Sequence, residues 1–118
     1  MPRHILLVED DPLIALGTSL ALEDGGYDVF HAENAQQACE AIERDGFSAL
    51  VTDINLGPGA DGFHVARLWR EMHPDGPVVF VSGADAGRYE AEGIRPSELI
   101  TKPFEPDQVL AFLGRCLH

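Results

Sequence analysis

Three carboxylates, one hydroxyl and one ammonium stand where they could do chemistry together: Glu9, Asp10, Asp53, Ser82 and Lys102. They stand where short predicted strands end, in "HILLVED", "ALVTD", "PVVFVS" and "ELITK". Three carboxylates packed together repel, and some take up protons at neutral pH unless a cation compensates. Their oxygens suit a hard divalent ion. Mg2+ keeps several waters and shares its shell with phosphate, so an open acidic cup fits it better than a closed cage, with Mn2+ able to take its place. Such an ion beside a carboxylate, an ammonium and a hydroxyl is equipment for phosphoryl transfer, where the protein positions groups and neutralises the equatorial oxygens. Asp53 is then the nucleophile that forms an acyl phosphate. The added charge of about −1.5 to −2 needs new partners, which Ser82 and Lys102 supply. Lys102 is the only lysine beside seven arginines. A compact, hydrated point charge can reach one acyl-phosphate oxygen, whereas a planar guanidinium is bulkier. Pro103 fixes the turn that aims it.

A parallel sheet would carry all five groups to one edge. "HILLV" (4–8) is a continuous apolar run that reads as a strand buried on both faces. Asp11-Pro12 reads as an N-cap with proline at the first helical position. Leu13, Leu16, Gly17 and Leu20 then fall on one helical face, predicted to be the buried one, and the helix ends at Gly25-Gly26. "YDVFHA" is a second strand, and Asn34 caps a helix with Ala35, Ala38, Cys39 and Ile42 inward, closed by Gly46. "FSALVTD" is a third strand, followed by the loop "INLGPGADG" and a helix with Val65, Leu68, Trp69 and Met72 on one face, ended by Pro74. "PVVFVSG" is a fourth strand, "ADAGRYEAEG" a weak fourth helix with Gly87 inside it, and "ELIT" a brief fifth strand. The last helix, "EPDQVLAFLGRCL", turns Val109, Phe112, Leu113 and Cys116 inward. Strands alternating with helices at this spacing mean right-handed βαβ units. The expected fold class is α/β: a three-layer (βα)5 sandwich, flavodoxin-like, with a parallel five-stranded sheet in the order 2-1-3-4-5. Strands 1 and 3 meet at its switch point, and ligands bind beyond their carboxyl ends.

The 118 residues, 45% of them apolar, suit one domain over 1–118 with one hydrophobic core. No apolar run approaches the roughly 18 residues needed to span a bilayer, and "MPRHILLVEDD" turns acidic too early for a secretory signal. Cys39 and Cys116 lack metal-ligand spacing and read as reduced residues of a cytoplasmic protein. A formal charge of −12 repels nucleic-acid backbones and anionic membrane faces, so neither is an expected direct partner. The five histidines, His4, His31, His64, His73 and His118, are scattered without metal spacing, Trp69 reads as core or as part of a helix boundary, and Arg67, Arg70 and Glu71 read as a solvated face.

"ILLVEDDPL", "LVTDINL", "VVFVSGA" and "ITKPF" follow one another in the order and spacing of a response-regulator receiver domain of two-component signalling, and the chain resembles that family over essentially its whole length. The resemblance implies that Asp53 accepts phosphate from a phosphohistidine on a histidine kinase or histidine phosphotransfer protein. It implies that Asp10, Asp53 and the backbone carbonyl of Asn55 ligate Mg2+, with Glu9 acting through a water. Ser82 would bond a phosphoryl oxygen and report the modification by moving, Gly83 and Ala84 would border the phosphate's access, and the Lys102-Pro103 bond would be cis. Such a domain is not an enzyme beyond its own phosphorylation and dephosphorylation. Its output partner would be a downstream protein or an attached output domain, reached through the fourth helix, fifth strand and last helix or through the first helix near the cup. The former face also suits a homodimer. A stand-alone receiver and a piece of a larger regulator or hybrid kinase are both compatible with this chain.

Two features depart from the family. Pro58 stands five residues after Asp53, and Asp61-Gly62 eight and nine after it, each one further than usual. Leu99 replaces the Tyr or Phe that receivers carry three residues before the lysine. Either leucine simply fills a boundary position, or the protein signals by moving the weak fourth helix and the loop before it without an aromatic switch. Other readings fit less well. A haloacid-dehalogenase-like phosphatase needs a second acid where Asn55 stands, and a flavodoxin needs a hydroxyl-rich first loop where "EDDP" would repel phosphate. A phosphorylation-independent interaction module of receiver type remains the alternative in another functional class.

Overall fold

A computed structural model of the chain describes residues 3–44, 46–56, 61–82, 97–102 and 104–117. Its elements run β1 (His4–Val8), α1 (Pro12–Asp24), β2 (Asp28–Ala32), α2 (Ala35–Arg44), β3 (Ala49–Asp53), α3 (Gly62–Met72), β4 (Val78–Ser82), β5 (Ser97–Thr101) and α4 (Pro106–Cys116). The strands form one sheet in the order β2-β1-β3-β4-β5, and every neighbouring pair is parallel. This is the predicted flavodoxin-like arrangement. The weak fourth helix expected over "ADAGRYEAEG" lies outside the described residues, so α4 here is the C-terminal helix.

The central strands β3 and β4 are buried at all five positions, because helices cover both faces of a parallel sheet. One face carries Leu6, Val8, Leu50, Ile54 and Phe80 against α2 and α3, with Ile42, Phe63 and Trp69 completing that core. The other carries Ile5, Leu7, Val51, Val79 and Ile100 against α1 and α4, with Leu22, Val109 and Leu113. Alternation of side chains along each strand assigns successive residues to opposite cores. Gly26 and Gly46, which end the first two helices, adopt φ of 98° and 99°, a region that glycine enters freely.

Helix α1 corrects the sequence-based expectation. Leu13, Leu16 and Leu20 point to solvent at 80%, 57% and 57% exposure, and Gly17 is exposed with them, while Ala15, Thr18 and Leu22 face the sheet. The helix is apolar nearly all round, so several faces satisfy helical spacing equally well. Small Ala15 and Thr18 let its axis approach the sheet closely, and that choice turns the leucines outward. Helix α3 holds a smaller correction: Met72 is exposed, and His73 stacks on the Trp69 ring instead, centroids 4.0 Å apart. Trp69 itself is fully buried, as expected, and its indole N–H donates to the Gly76 carbonyl (3.1 Å). Arg70 is not part of a solvated face. It is half-buried, and its Nη1 donates to the carbonyls of His73, Pro74 and Gly76 at 2.8, 3.0 and 2.7 Å, closing the turn into β4. Cys39 and Cys116 are free and half-buried at the margins of the two cores.

Candidate functional site

Each strand delivers one group to the carboxyl edge. Strand β1 ends by leading into Glu9, buried at 3% exposure, then exposed Asp10. Asp11 is withdrawn from the cluster by its capping role: its Oδ1 accepts from the N–H groups of Leu13 (2.9 Å) and Ile14 (3.3 Å). Strand β3 ends in Asp53, buried at 5% exposure. Oxygens of Glu9, Asp10 and Asp53 all lie within 4.8 Å of one another. These are hard donors only, two sunk and one open to solvent, and that combination fits a divalent cation that keeps part of its water shell.

Lys102 follows β5 and leans across the edge. Its Nζ donates to Asp53 Oδ2 at 2.8 Å and lies 3.6 Å from Glu9 Oε1. The backbone N–H of Lys102 donates to the Ser82 carbonyl (2.8 Å), which ties the lysine to the end of β4. The other oxygen of Asp53, Oδ1, accepts the Asn55 N–H at 3.1 Å. Ser82 is buried at 1% exposure. The structure thus brings Glu9, Asp10, Asp53, Asn55, Ser82 and Lys102 to one edge, as expected from the strand ends. Gly83, Ala84, Pro103 and the Lys102-Pro103 bond lie outside the described residues, as does the inserted loop around Pro58. Leu99 is half-buried against the α2/α3 core and opposite Phe80 in the sheet.

Three carboxylates against one ammonium leave the cup short of positive charge. Burial pushes the Glu9 carboxyl up to about 7, and the charge of Asp53 adds to the rise, while the Asp11 N–H and Lys102 oppose it. Burial works against the Lys102 ammonium, but its hydrogen bond to Asp53 and the charges of Asp53 and Glu9 prevail, so its pKa moves up. Lys102 therefore stays charged, and burial holds the Glu9 carboxyl well above the usual carboxylate range.

Sequence reasoning missed two neighbours of the cup. His31, dismissed among scattered histidines, places Nε2 2.7 Å from the Glu9 carbonyl, because β2 lies beside β1 with His31 opposite Leu7. An open groove of about 470 Å3, lined by Leu13, Ile14, Gly17, Lys102, Phe104 and Pro106, runs from the lysine along α1. The pairing of β2 with β1 was the available signal for His31. For the groove there is none, because the spacing of residues in α1 does not say which of its faces meets the sheet.

A family model described as the response regulator receiver domain matches residues 5–113. The response regulator receiver protein CpdR of Brucella abortus is 36% identical over 104 residues, 86% of each chain. The transcriptional regulatory protein QseB of Escherichia coli O157:H7 is 35% identical over 112 residues, which are 93% of this chain and 51% of its own length. The chain spans about half the length of several other curated relatives it matches. A crystal structure of a response regulator receiver protein from Sinorhizobium medicae superposes with a TM-score of 0.95 at 30% identity, over 98% of this chain and 94% of that one.

Proposed function

Because the chain belongs to the response regulator receiver domain family, we propose that it accepts a phosphoryl group from a phosphohistidine onto Asp53 in an Mg2+-dependent step and acts as a switch. The observation that carries this reading is the Asp53 carboxylate, buried at the switch point, held by Lys102 at 2.8 Å and by the Asn55 N–H at 3.1 Å, beside Glu9 and Asp10. Asp10, Asp53 and the Asn55 carbonyl would hold the ion, with Glu9 through a water. When bound, the ion neutralises charge on the phosphoryl oxygens and the carboxylates that surround them.

An Asp53 oxygen forms the new P–O bond as the P–N bond to the imidazole breaks, and the imidazole leaves with the electron pair. Lys102 starts as the counter-charge of Asp53 and is placed to follow the charge onto a phosphoryl oxygen. Ser82, at the end of the neighbouring strand, supplies a hydroxyl for another oxygen. Attack of water on phosphorus later breaks the P–O bond, regenerates the carboxylate and releases inorganic phosphate. Phosphate and ion shift a two-state equilibrium by no more than their differential stabilisation of the active state.

The phosphodonor would be a histidine kinase or phosphotransfer protein seated on the ridge of Leu13, Leu16 and Leu20, beside the groove that reaches Lys102. Helix α1 carries no basic residue, and Asp10, Asp11, Glu23 and Asp24 stand at its two ends. A partner with an apolar centre and basic flanks fits, whereas a second copy of the same face would meet like charge. Output would pass to a downstream protein or attached domain.

Incubation with Mg2+ and acetyl phosphate tests the reading by mass spectrometry. One phosphoryl mass should appear, should require Mg2+, and should vanish in Asp53→Asn. No Mg2+-dependent gain in folded wild-type protein would overturn it and leave the phosphorylation-independent interaction module.

A further inference from the structure

We propose that Thr52 and Gly62 are positioning residues that clamp the backbone carbonyl of Asp53 and so hold residues 53–55 in the shape that receives the cation. The inference deepens the preceding reading of Asp53 and Asn55 and rests on it.

Thr52 is fully buried, between Val8 and Phe80 on the neighbouring strands and on the same strand face as Leu50. Valine has nearly the same shape and no hydroxyl to satisfy, so apolar packing alone gives no reason for threonine here. The hydroxyl is used: it donates to the carbonyl of Asp53 at 2.9 Å. Gly62, the first residue of α3, crowds that same carbonyl. A methyl group built at Gly62 would overlap the Asp53 oxygen and come within 2.9 Å of the Ile54 Cα. No side chain fits there, and the glycine's N–H donates to the Ile54 carbonyl at 2.8 Å.

The peptide between Asp53 and Ile54 is therefore held at both ends. Its carbonyl meets Thr52, with Gly62 closing the space beside it, and its N–H donates to the Val81 carbonyl at 3.0 Å. That peptide plane sets the direction of the chain into Asn55, whose own N–H restrains Asp53 Oδ1. A clamp of this kind does its work before the ion arrives. Without it, the ion must order the turn on binding, so the loss appears in affinity and the rate at saturating ion is retained. A threonine serving only its own burial would leave both unchanged when replaced by valine.

The test uses the whole chain with Thr52→Val, Thr52→Ala and Thr52→Ser. In metal-free protein, hydrogen exchange at the Gly62 amide should quicken about three- to tenfold in the valine and alanine variants, the factor one hydrogen bond supplies, and stay near wild type in serine. The Mg2+ concentration giving half-maximal labelling by acetyl phosphate should rise by the same factor in valine and alanine, be restored in serine, and leave the saturated rate unchanged. Wild-type values of both in the valine variant overturn the clamp, as does a fall in saturated rate at unchanged half-saturation. If the valine variant does not fold, alanine against serine decides, since both lack the methyl and differ only in the hydroxyl. If wild-type protein is not labelled, the phosphoacceptor reading has failed, and exchange at Gly62 alone supports or refutes the clamp.

Discussion

Acidification should expel Mg2+ from this protein through Glu9, well above the pH at which ordinary carboxylates titrate. In the metal-free cup the Glu9 carboxyl sits at about 7 against an ordinary 4.5. It is then ionised in about one molecule in eleven at pH 6, half at pH 7 and about ten in eleven at pH 8. A cation among Glu9, Asp10 and Asp53 favours the ionised form, so ion and proton compete. Apparent Mg2+ affinity should fall about tenfold between pH 8 and pH 6, with nearly one proton released per ion at pH 6, about half at pH 7 and about a tenth at pH 8. Stability follows with a definite sign. Between about pH 4.5 and 7 the folded chain keeps a proton that the unfolded chain has lost, so metal-free stability falls as pH rises through that window and levels off above it. Saturating Mg2+, which favours the ionised carboxylate, should offset that loss above pH 7. Titration calorimetry at pH 6, 7 and 8, in paired buffers of different protonation enthalpy, counts the protons directly. Thermal unfolding with and without Mg2+ reads the stability, and Glu9→Gln should flatten both profiles. Affinity that does not change between pH 6 and 8, with no proton released at pH 6, would refute the assignment of the proton to Glu9.

Lys102→Arg should fold and bind Mg2+ normally but transmit phosphorylation poorly, because a forked guanidinium cannot track one oxygen from carboxylate to phosphate as an ammonium does. Amide spectra before and after acetyl phosphate treatment check it, and a wild-type phosphorylation response refutes it. On α1, Leu16→Ser and Leu20→Ser should change unfolding free energy by no more than about 0.5 kcal/mol, whereas Leu22→Ala, at a position 1% exposed, should lose about 2–5 kcal/mol. The same two serine variants should label normally with acetyl phosphate yet receive phosphate slowly from a phosphohistidine protein. A stability loss at Leu16 as large as that at Leu22 would show that the helix is turned the other way.

Strands β1, β3 and β4 were legible in the sequence because a strand buried on both faces reads as a near-continuous apolar run, and the polar residue that stops it marks the edge. The alternation of strands with helices pointed to the parallel order. Glu9, Asp10, Asp53, Ser82 and Lys102 could be named from where the strands end, whereas Asn55, two residues after Asp53, entered only through the resemblance to the receiver family. The face of α1 was not legible. Its leucines and its small residues satisfy helical spacing equally, and only contact with the sheet, where Ala15 and Thr18 permit close approach, chose between them. The same holds for Arg70, whose charge suggested solvent until the turn after α3 brought three carbonyls within 3.0 Å of it. Within the cup, residue types already implied surplus negative charge. Only the fold determined who bears it, by burying Glu9 at 3% exposure while giving Asp53 the lysine at 2.8 Å and the Asn55 N–H. Sequence spacing records which groups reach an edge. Desolvation and pair distances, which decide the proton, arise only when separate strands close around them.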